Sequence, residues 1–247
     1  MINAVFEVCI EQLRAVQNSE SEAIQAAAKL VADAIAGENG FFLFGSGHSA
    51  FIARDAYWRA GGLAPALPIP DPLAGDAERL QGIATILLAH YNLQPGGVMI
   101  VISNSGINHL PVEIAFQAKA SGLSVVAITS RQHSGQVPAR HPSEKKLMDI
   151  ADIIIDTHGA PGDAALELPG STLRVAPTST IVGSAILQAV TAQAAALLLE
   201  RGIEPPVIVS SNLPHGDASN RKLALRYRTK LVRYEVPTVD ITPREWR

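Results

Sequence analysis

The apolar positions of this chain change period along its length. In residues 2–17 Val5, Val8, Cys9, Leu13 and Val16 fall three and four apart, the spacing of one helical face. Asn18 and Ser19 interrupt the pattern, and residues 20–36 repeat it with Ile24, Ala27, Ala28, Val31 and Ile35 before Gly37 and Gly40 close it. The period is then lost in an unbroken apolar run, Phe41-Phe42-Leu43-Phe44; similar runs recur at 98–102 and 153–155, and at 123–128 with Ser124 as its one polar residue. Short continuous runs of this kind predict strands buried on both faces, as in a parallel sheet. Residues 66–69 predict an edge strand, because Pro65, Pro68 and Pro70 would break a central ladder. Helical patterns fill residues 49–60, 76–91, 109–120 and 181–200, with Pro111 tolerable in a first turn. A short helix is expected at 144–150, a hairpin near 166–168, an extended piece at 205–209 and a basic helix at 217–232 before a polar tail.

Strands alternating with helices predict an α/β fold: a flavodoxin-like, doubly wound, mostly parallel five-stranded sheet with helices on both faces. Ligands of such sheets sit at the carboxyl ends of the strands. No repeat, linker or low-complexity tract divides the chain, so one domain over 1–247 is expected. It carries a helical hairpin at 1–37 and a C-terminal basic helix and tail at 205–247. The two leading helices offer a dimer surface, or they pack on their own sheet.

Composition narrows the classes. With 47% hydrophobic and 17% charged residues, the 247-residue chain can bury a sizeable core. Net charge is −3, with no overall pull toward nucleic acid or membrane. The charge is uneven: from Gly216 onward eight Lys/Arg face four Asp/Glu, net +4, which leaves −7 for the rest. That basic end suits an anionic ligand or an acidic neighbouring subunit. The single cysteine, Cys9, permits no disulfide within the chain and reads as a core residue. No signal peptide is expected, since Glu7 and Glu11 stand where a basic region would. The most apolar stretch, 181–199, is broken by Ser184, Gln188 and Gln193, so no membrane span is expected and the protein reads as cytoplasmic.

The chemistry lies where strands end. The first runs into Gly45-Ser46-Gly47-His48-Ser49, the next apolar one into Ser103-Asn104-Ser105-Gly106-Ile107-Asn108, and the third into Thr129-Ser130. Thr178-Ser179-Thr180 opens the long late helix. In a parallel sheet these tips share one edge, where hydroxyls and free N–H groups at helix starts converge without many lysines. That suits a phosphate on a neutral molecule. A dinucleotide reading is weak: no strand-end acid stands about 20 residues after the glycine turn, and the third position is Ala50. No G-x-x-x-x-G-K-[ST] exists, which argues against P-loop hydrolysis.

From residue 20 to residue 200 the chain resembles the SIS (sugar isomerase) domain, the phosphosugar-binding fold of phosphoheptose isomerase and of the isomerase half of glucosamine-6-phosphate synthase. The resemblance rests on G-S-G-H-S at 45–49, S-N-S-G at 103–106 and T-S-T at 178–180. A closer likeness, to a bacterial family of stand-alone SIS proteins, adds R-A-G-G at 59–62, S-N-S-G-I-N at 103–108, G-A-P-G-D-A at 159–164 and P-P-V at 205–207. It implies that Ser46, Ser49, Ser103, Ser105 and Thr180 hold phosphate, with Gly45, Gly47, Asn104, Gly106, Asn108, Ser179 and Arg59 lining the site. It also implies a homodimer or homotetramer with sites near subunit interfaces, a sugar phosphate as small-molecule partner, and no cofactor.

Catalysis is less defined. Phosphoheptose isomerases use a glutamate on the helix after the first turn, and that position falls here at about Arg59. One helical turn earlier stands Asp55, on the same face. Aldose–ketose isomerisation needs a base that shuttles a proton between adjacent carbons and a donor that polarises the carbonyl. The candidates are Asp55, His48 and His109, with His215 and Arg59 behind them. Asp55 could equally pair with Arg59 on the surface. Asp163 is either a turn former or a hydroxyl acceptor. His133/His141 and Asp152/Asp156 lack convergent metal-ligand spacing, so no metal is expected. Three functions compete: an isomerase working through an enediol, a non-catalytic sugar-phosphate sensor, and an amino-sugar phosphate lyase or etherase.

Overall fold

The computed structural model describes residues 1–227; the end of the expected basic helix and the tail, 228–247, lie outside the described residues. Helices α1 (Ile2–Ser19) and α2 (Ser21–Ala36) lead into β1 (Phe41–Gly45). Then follow α3 (Ser49–Asp55), β2 (Ala66–Ile69), α4 (Ile83–Leu88), β3 (Val98–Ile102), α5 (His109–Ala120) and β4 (Ser124–Thr129). Short α6 (Arg131–Gln136) precedes β5 (Ile153–Asp156), a hairpin of β6 (Ala164–Glu167) and β7 (Arg174–Pro177), long α7 (Ser179–Glu200) and α8 (Gly216–Tyr227). The five parallel strands lie in the order β2-β1-β3-β4-β5, the flavodoxin-like order expected. Its switch point falls between β1 and β3, where ligands of such sheets bind.

Strand alternation divides the core. Phe41, Leu43, Val98, Ile100, Ile102, Val126 and Ile128 face a layer built with α2, α3 and α7. Phe42, Phe44, Met99, Val101, Val125 and Ala127 face the opposite layer with α4 and α5. Phe41 to Phe44 are all fully buried, so β1 is apolar throughout because both its faces are covered. Helix α7 is long and apolar enough, by length and composition, to cross a membrane. Here it packs chiefly on α2 and buries Val182, Ile186, Leu187, Val190, Ala194 and Leu198.

Several expected boundaries move, each for a local reason. The helix expected at 49–60 ends at Asp55. Beyond it the chain is drawn aside to bond with 206–208, through Gly61 N–H to Ile208 O, Ile208 N–H to Gly62 O and Ala64 N–H to Pro206 O. The helix expected at 76–91 splits into a 3-10 turn, Asp76–Arg79, and α4. Gly82 stands between them at φ 81, and its N–H donates to both oxygens of Glu113 at 2.9 Å. The short helix expected at 144–150 is a 3-10 turn, Leu147–Asp149. The segment after β4 contains α6, started by the Ser130 hydroxyl, which accepts from His133 N–H at 3.1 Å.

Candidate functional site

The register aligns the strand tips. Gly45 pairs with Ile102, Ile102 with Ile128, and Thr129 with Asp156. Ser46, Ser103, Thr129 and Asp156 therefore form one row across the carboxyl edge, and the turns that follow rise from it.

The turn after β1 has the backbone of an anion cradle. Gly45 cannot carry a side chain, since a Cβ there would lie 2.3 Å from Ser49 O. Gly47 sits at φ 56, where glycine carries no steric penalty. The cradle is already filled. Asp71, from the loop after β2, accepts from Gly47 N–H at 2.9 Å and from the Ser46 hydroxyl at 3.0 Å through the same Oδ2. The start of α7 is filled likewise. Asp163 Oδ1 accepts from Thr178 N–H at 3.2 Å and Ser179 N–H at 2.9 Å, and its Oδ2 from the Ser179 hydroxyl at 2.6 Å. Thr180 is exposed.

The turn between β3 and α5 differs. Its own atoms shape it: the buried Ser103 hydroxyl accepts from Gly106 N–H at 3.1 Å, and Gly106 takes φ 63, where a Cβ would stand 3.1 Å from Thr129 Oγ1 and 3.2 Å from Leu147 Cβ. Asn104 O accepts from Ser130 N–H at 3.0 Å, and Asn104 Oδ1 from the Thr157 hydroxyl at 3.4 Å. Helix α5 starts after Asn108 without a side-chain cap, so its first N–H groups have no partner within the helix. Among the described residues the Ser105 hydroxyl has no partner. Cations stand beside this turn. Arg140 donates to Asn108 Oδ1 at 2.6 Å, and its N–H bonds Ile107 O at 3.0 Å. Leu147 N–H bonds Gly106 O at 2.8 Å, and the ammonium of the neighbouring Lys146 donates to Ser134 O at 2.5 Å. One of the three helix starts is thus open and flanked by positive charge, while the other two hold aspartates.

Residues 6–130 match a family model described as the SIS domain. The chain belongs to the SIS domain family. It is 38% identical over 240 residues to UPF0309 protein GK1441 of Geobacillus kaustophilus, a match covering 94% of this chain and 96% of that protein. With UPF0309 protein SCO4393 of Streptomyces coelicolor it shares 39% identity over 236 residues, 91% and 94% of the two chains. Among solved structures it resembles a phosphoheptose isomerase from Francisella tularensis, with TM-score 0.53 and 20% identity over 79% of this chain and 96% of that one. It also resembles the Vibrio vulnificus NanR protein complexed with ManNAc-6P, with TM-score 0.51 and 15% identity over 91% of this chain and 67% of that one. At these identities the structural likeness establishes the SIS fold.

Within this SIS domain the expected catalytic groups lie apart. Asp55 and Arg59 form an i,i+4 ion pair, with side chains 43% and 48% exposed, the surface arrangement foreseen as one alternative. His48 is exposed, its ring edge-on to Phe51 at 6.1 Å. His109 opens α5 beside the uncapped turn; its Nδ1 is buried without a partner, and its ring lies 5.8 Å from that of His141. His215 is exposed before α8. The pairs considered for metal serve the scaffold. His133 Nδ1 accepts from Gly162 N–H at 2.6 Å, and His141 Nδ1 from Ser143 N–H at 3.2 Å. Asp156 accepts from Arg131 N–H at 3.0 Å and His158 N–H at 2.9 Å. Asp152 binds Lys119 and accepts from Val125 N–H at 2.9 Å. Burial raises the Asp152 carboxyl, but the Lys119 ammonium and that N–H outweigh it and hold it below its ordinary value.

Sequence reading missed Asp71, Arg140 and Lys146. Asp71 looks like a turn former between Pro70 and Pro72, and Arg140 and Lys146 stand more than 30 residues beyond the turn they flank. Gln12 was missed too: buried in α1, it donates to Thr157 O at 2.6 Å and so braces the residue that holds Asn104.

Proposed function

We propose that this SIS protein binds a sugar phosphate, with the phosphate on the turn at residues 103–108, and isomerises the sugar through an enediol. The observation that carries the reading is the contrast among the three helix starts. An anion needs unpaired N–H and O–H donors at the positive end of a helix, and the start of α5 supplies them beside Arg140. Ser105 and the first N–H groups of α5 take the phosphate oxygens; Ser46, Ser49 and Ser103 complete the wall on the β1 side. The solved neighbours agree in kind: two are phosphoheptose isomerases, and the NanR protein is complexed with a sugar phosphate, ManNAc-6P. For proton transfer, His109 is the expected catalytic group whose backbone lies in this helix start. Cytoplasmic location and assembly as a homodimer or homotetramer belong to the same reading. The exposed stripe Ile2, Phe6 and Ile10 on α1 supports assembly, because it stays uncovered while the neighbouring Cys9 and Val16 of the same helix are buried.

A second reading, a sugar-phosphate sensor without catalysis, is favoured by one observation. The carboxylate nearest the expected glutamate position, Asp55, is tied to Arg59 on the surface. Thermal-shift titration with hexose and heptose phosphates tests binding, and a melting temperature unmoved by every sugar phosphate in large excess would refute it. Proton exchange at C2 in deuterated water then divides the readings: exchange supports the isomerase, and binding without exchange supports the sensor.

A further inference from the structure

Residues 156–159 are held from three sides. From α1, the buried Gln12 amide donates to Thr157 O at 2.6 Å, and Glu20, which follows that helix, accepts from Asp156 N–H at 3.1 Å. From β4, Thr129 O accepts from Thr157 N–H at 2.9 Å. From the start of α6, the Ser130 hydroxyl donates to Gly159 O at 2.7 Å. So fixed, the segment meets the turn at 103–108 through one side chain. The Thr157 hydroxyl accepts from Gly159 N–H at 3.3 Å and donates to Asn104 Oδ1 at 3.4 Å. Gly159 leaves room for that contact, since a Cβ on it would stand 3.2 Å from both Asn104 Oδ1 and Thr157 Oγ1.

The contact sets which way the Asn104 carboxamide faces. Gly159 N–H can only donate, so it occupies a lone pair of the Thr157 hydroxyl. The proton of that hydroxyl then needs an acceptor, and Thr157 is only 3% exposed. An amide oxygen meets the need, whereas an amide NH2 group there would leave the proton buried and unpaired. Oδ1 is therefore turned to Thr157, and because a carboxamide is planar, Nδ2 is turned away from it. The backbone of Asn104 is pinned as well: its carbonyl accepts from Ser130 N–H at 3.0 Å and from the Thr129 hydroxyl at 3.3 Å. Among the described residues Nδ2 has no partner, and it stands one residue before Ser105, whose hydroxyl has none either.

Resting on the sugar-phosphate reading above, we infer that Asn104 Nδ2 donates to a phosphate oxygen of the bound ligand, and that Thr157 and Gln12 are the positioning residues that hold it in that orientation. A carboxamide free to turn can present an anion with either an N–H or a carbonyl lone pair, and the lone pair repels it. The relay of donors from Gly159 N–H through the Thr157 hydroxyl to Asn104 Oδ1 leaves only the N–H face. Gln12 acts one step further back: by fixing the Thr157 carbonyl it fixes the residue whose hydroxyl sets Asn104. Helix α1 thus serves the binding site as well as the scaffold, although Gln12 lies far ahead of the turn in sequence.

The test is calorimetric titration of the full chain with glucose 6-phosphate, on single variants and on a cycle with Asn104→Ala. Thr157→Val keeps the shape of the side chain and removes the hydroxyl; it should weaken binding about tenfold, and Gln12→Leu about threefold. Thr157→Ser keeps the hydroxyl and should bind within about twofold of the natural protein. Asn104→Ala should lose about tenfold. In that background neither Thr157→Val nor Gln12→Leu should cost anything more, because residues that act through one side chain do not add. Costs that do add there overturn the inference and make Thr157 and Gln12 supports of the fold alone. Natural affinity in Thr157→Val or in Asn104→Ala overturns it as well and leaves the phosphate reading standing. Failure of the natural protein to bind glucose 6-phosphate overturns both. Should Thr157→Val not fold, Thr157→Ser and Asn104→Ala decide: a loss in Thr157→Ser as large as that in Asn104→Ala overturns the inference.

Discussion

The start of α5 and the start of α7 carry similar chemistry in sequence, hydroxyl residues ahead of a helix, and they differ in what answers them. At α7 the answer is internal. Asp163 takes two backbone N–H groups and a hydroxyl, so the helix dipole and its first donors are spent on the fold. At α5 nothing of the kind arrives. The turn is braced by Ser103, Ser130, Thr157 and Leu147, no side chain caps the helix, and the Arg140 guanidinium bonds Asn108 beside it. A hydroxyl-rich helix start therefore keeps its donors uncapped only where the fold withholds a carboxylate from it.

Five substitutions probe that contrast. The largest effect should come from making α5 resemble α7. Ser105→Asp places a carboxylate among the open donors, and affinity for glucose 6-phosphate should fall about 100-fold, roughly 2.7 kcal/mol, by calorimetry. Unchanged affinity would move the phosphate elsewhere. Next, Asp163→Ala uncaps α7. Loss of the cap should cost about 2 kcal/mol and lower the melting temperature by roughly 4–8 °C, and a melting curve that does not move would mean the cap does nothing. Arg140→Ala removes the flanking charge. It should weaken phosphate binding roughly fivefold to tenfold, about 1–1.4 kcal/mol, and flatten the salt dependence of what remains.

Asp152→Asn examines a carboxylate that supports the sheet away from the site. Its folded value lies below its ordinary one, so the stability it adds is present above the unfolded value near 3.9. That stability is lost as pH falls through the lower folded value. Urea unfolding should show the natural protein ahead by about 0.5–1 kcal/mol at pH 7, with the gap closing below about pH 4; a gap that widens in acid would reverse the sign. The smallest effect belongs to Asp55→Asn. The exposed pair with Arg59 is worth about 0.3–0.5 kcal/mol. If C2 exchange persists at the original rate in this variant, Asp55 is not the base; if exchange stops, Asp55 acts despite its surface pairing.

Much of the fold was legible because one physical signal repeated. Four short, nearly continuous apolar runs, with only Ser124 polar among them, fit strands covered on both faces, and alternation with helices made the sheet parallel. Boundaries slipped where a partner from far along the chain decided them. Helix α3 stops short because residues 206–208 pull residues 61–64 into pairing, and Gly82 breaks a helical pattern because Glu113, 31 residues on, holds its N–H. The site was legible to the same degree. The turns at 45–49, 103–108 and 178–180 announced donors through their residue types. Which donors remain open depended on Asp71, whose local sequence reads as a turn former, and on Asp163, which reads as a turn former or a hydroxyl acceptor.

The sequence by itself determined the parallel α/β sheet, membership of the SIS family and the row of hydroxyl-bearing strand tips, because strand burial and helix-start chemistry are local and periodic. Only the tertiary structure decided which of those tips is left without a capping carboxylate. That choice rests on carboxylates and a guanidinium brought from 15 to 32 residues away, and hydrogen bonds over such separations are set by where the folded strands deliver their loops.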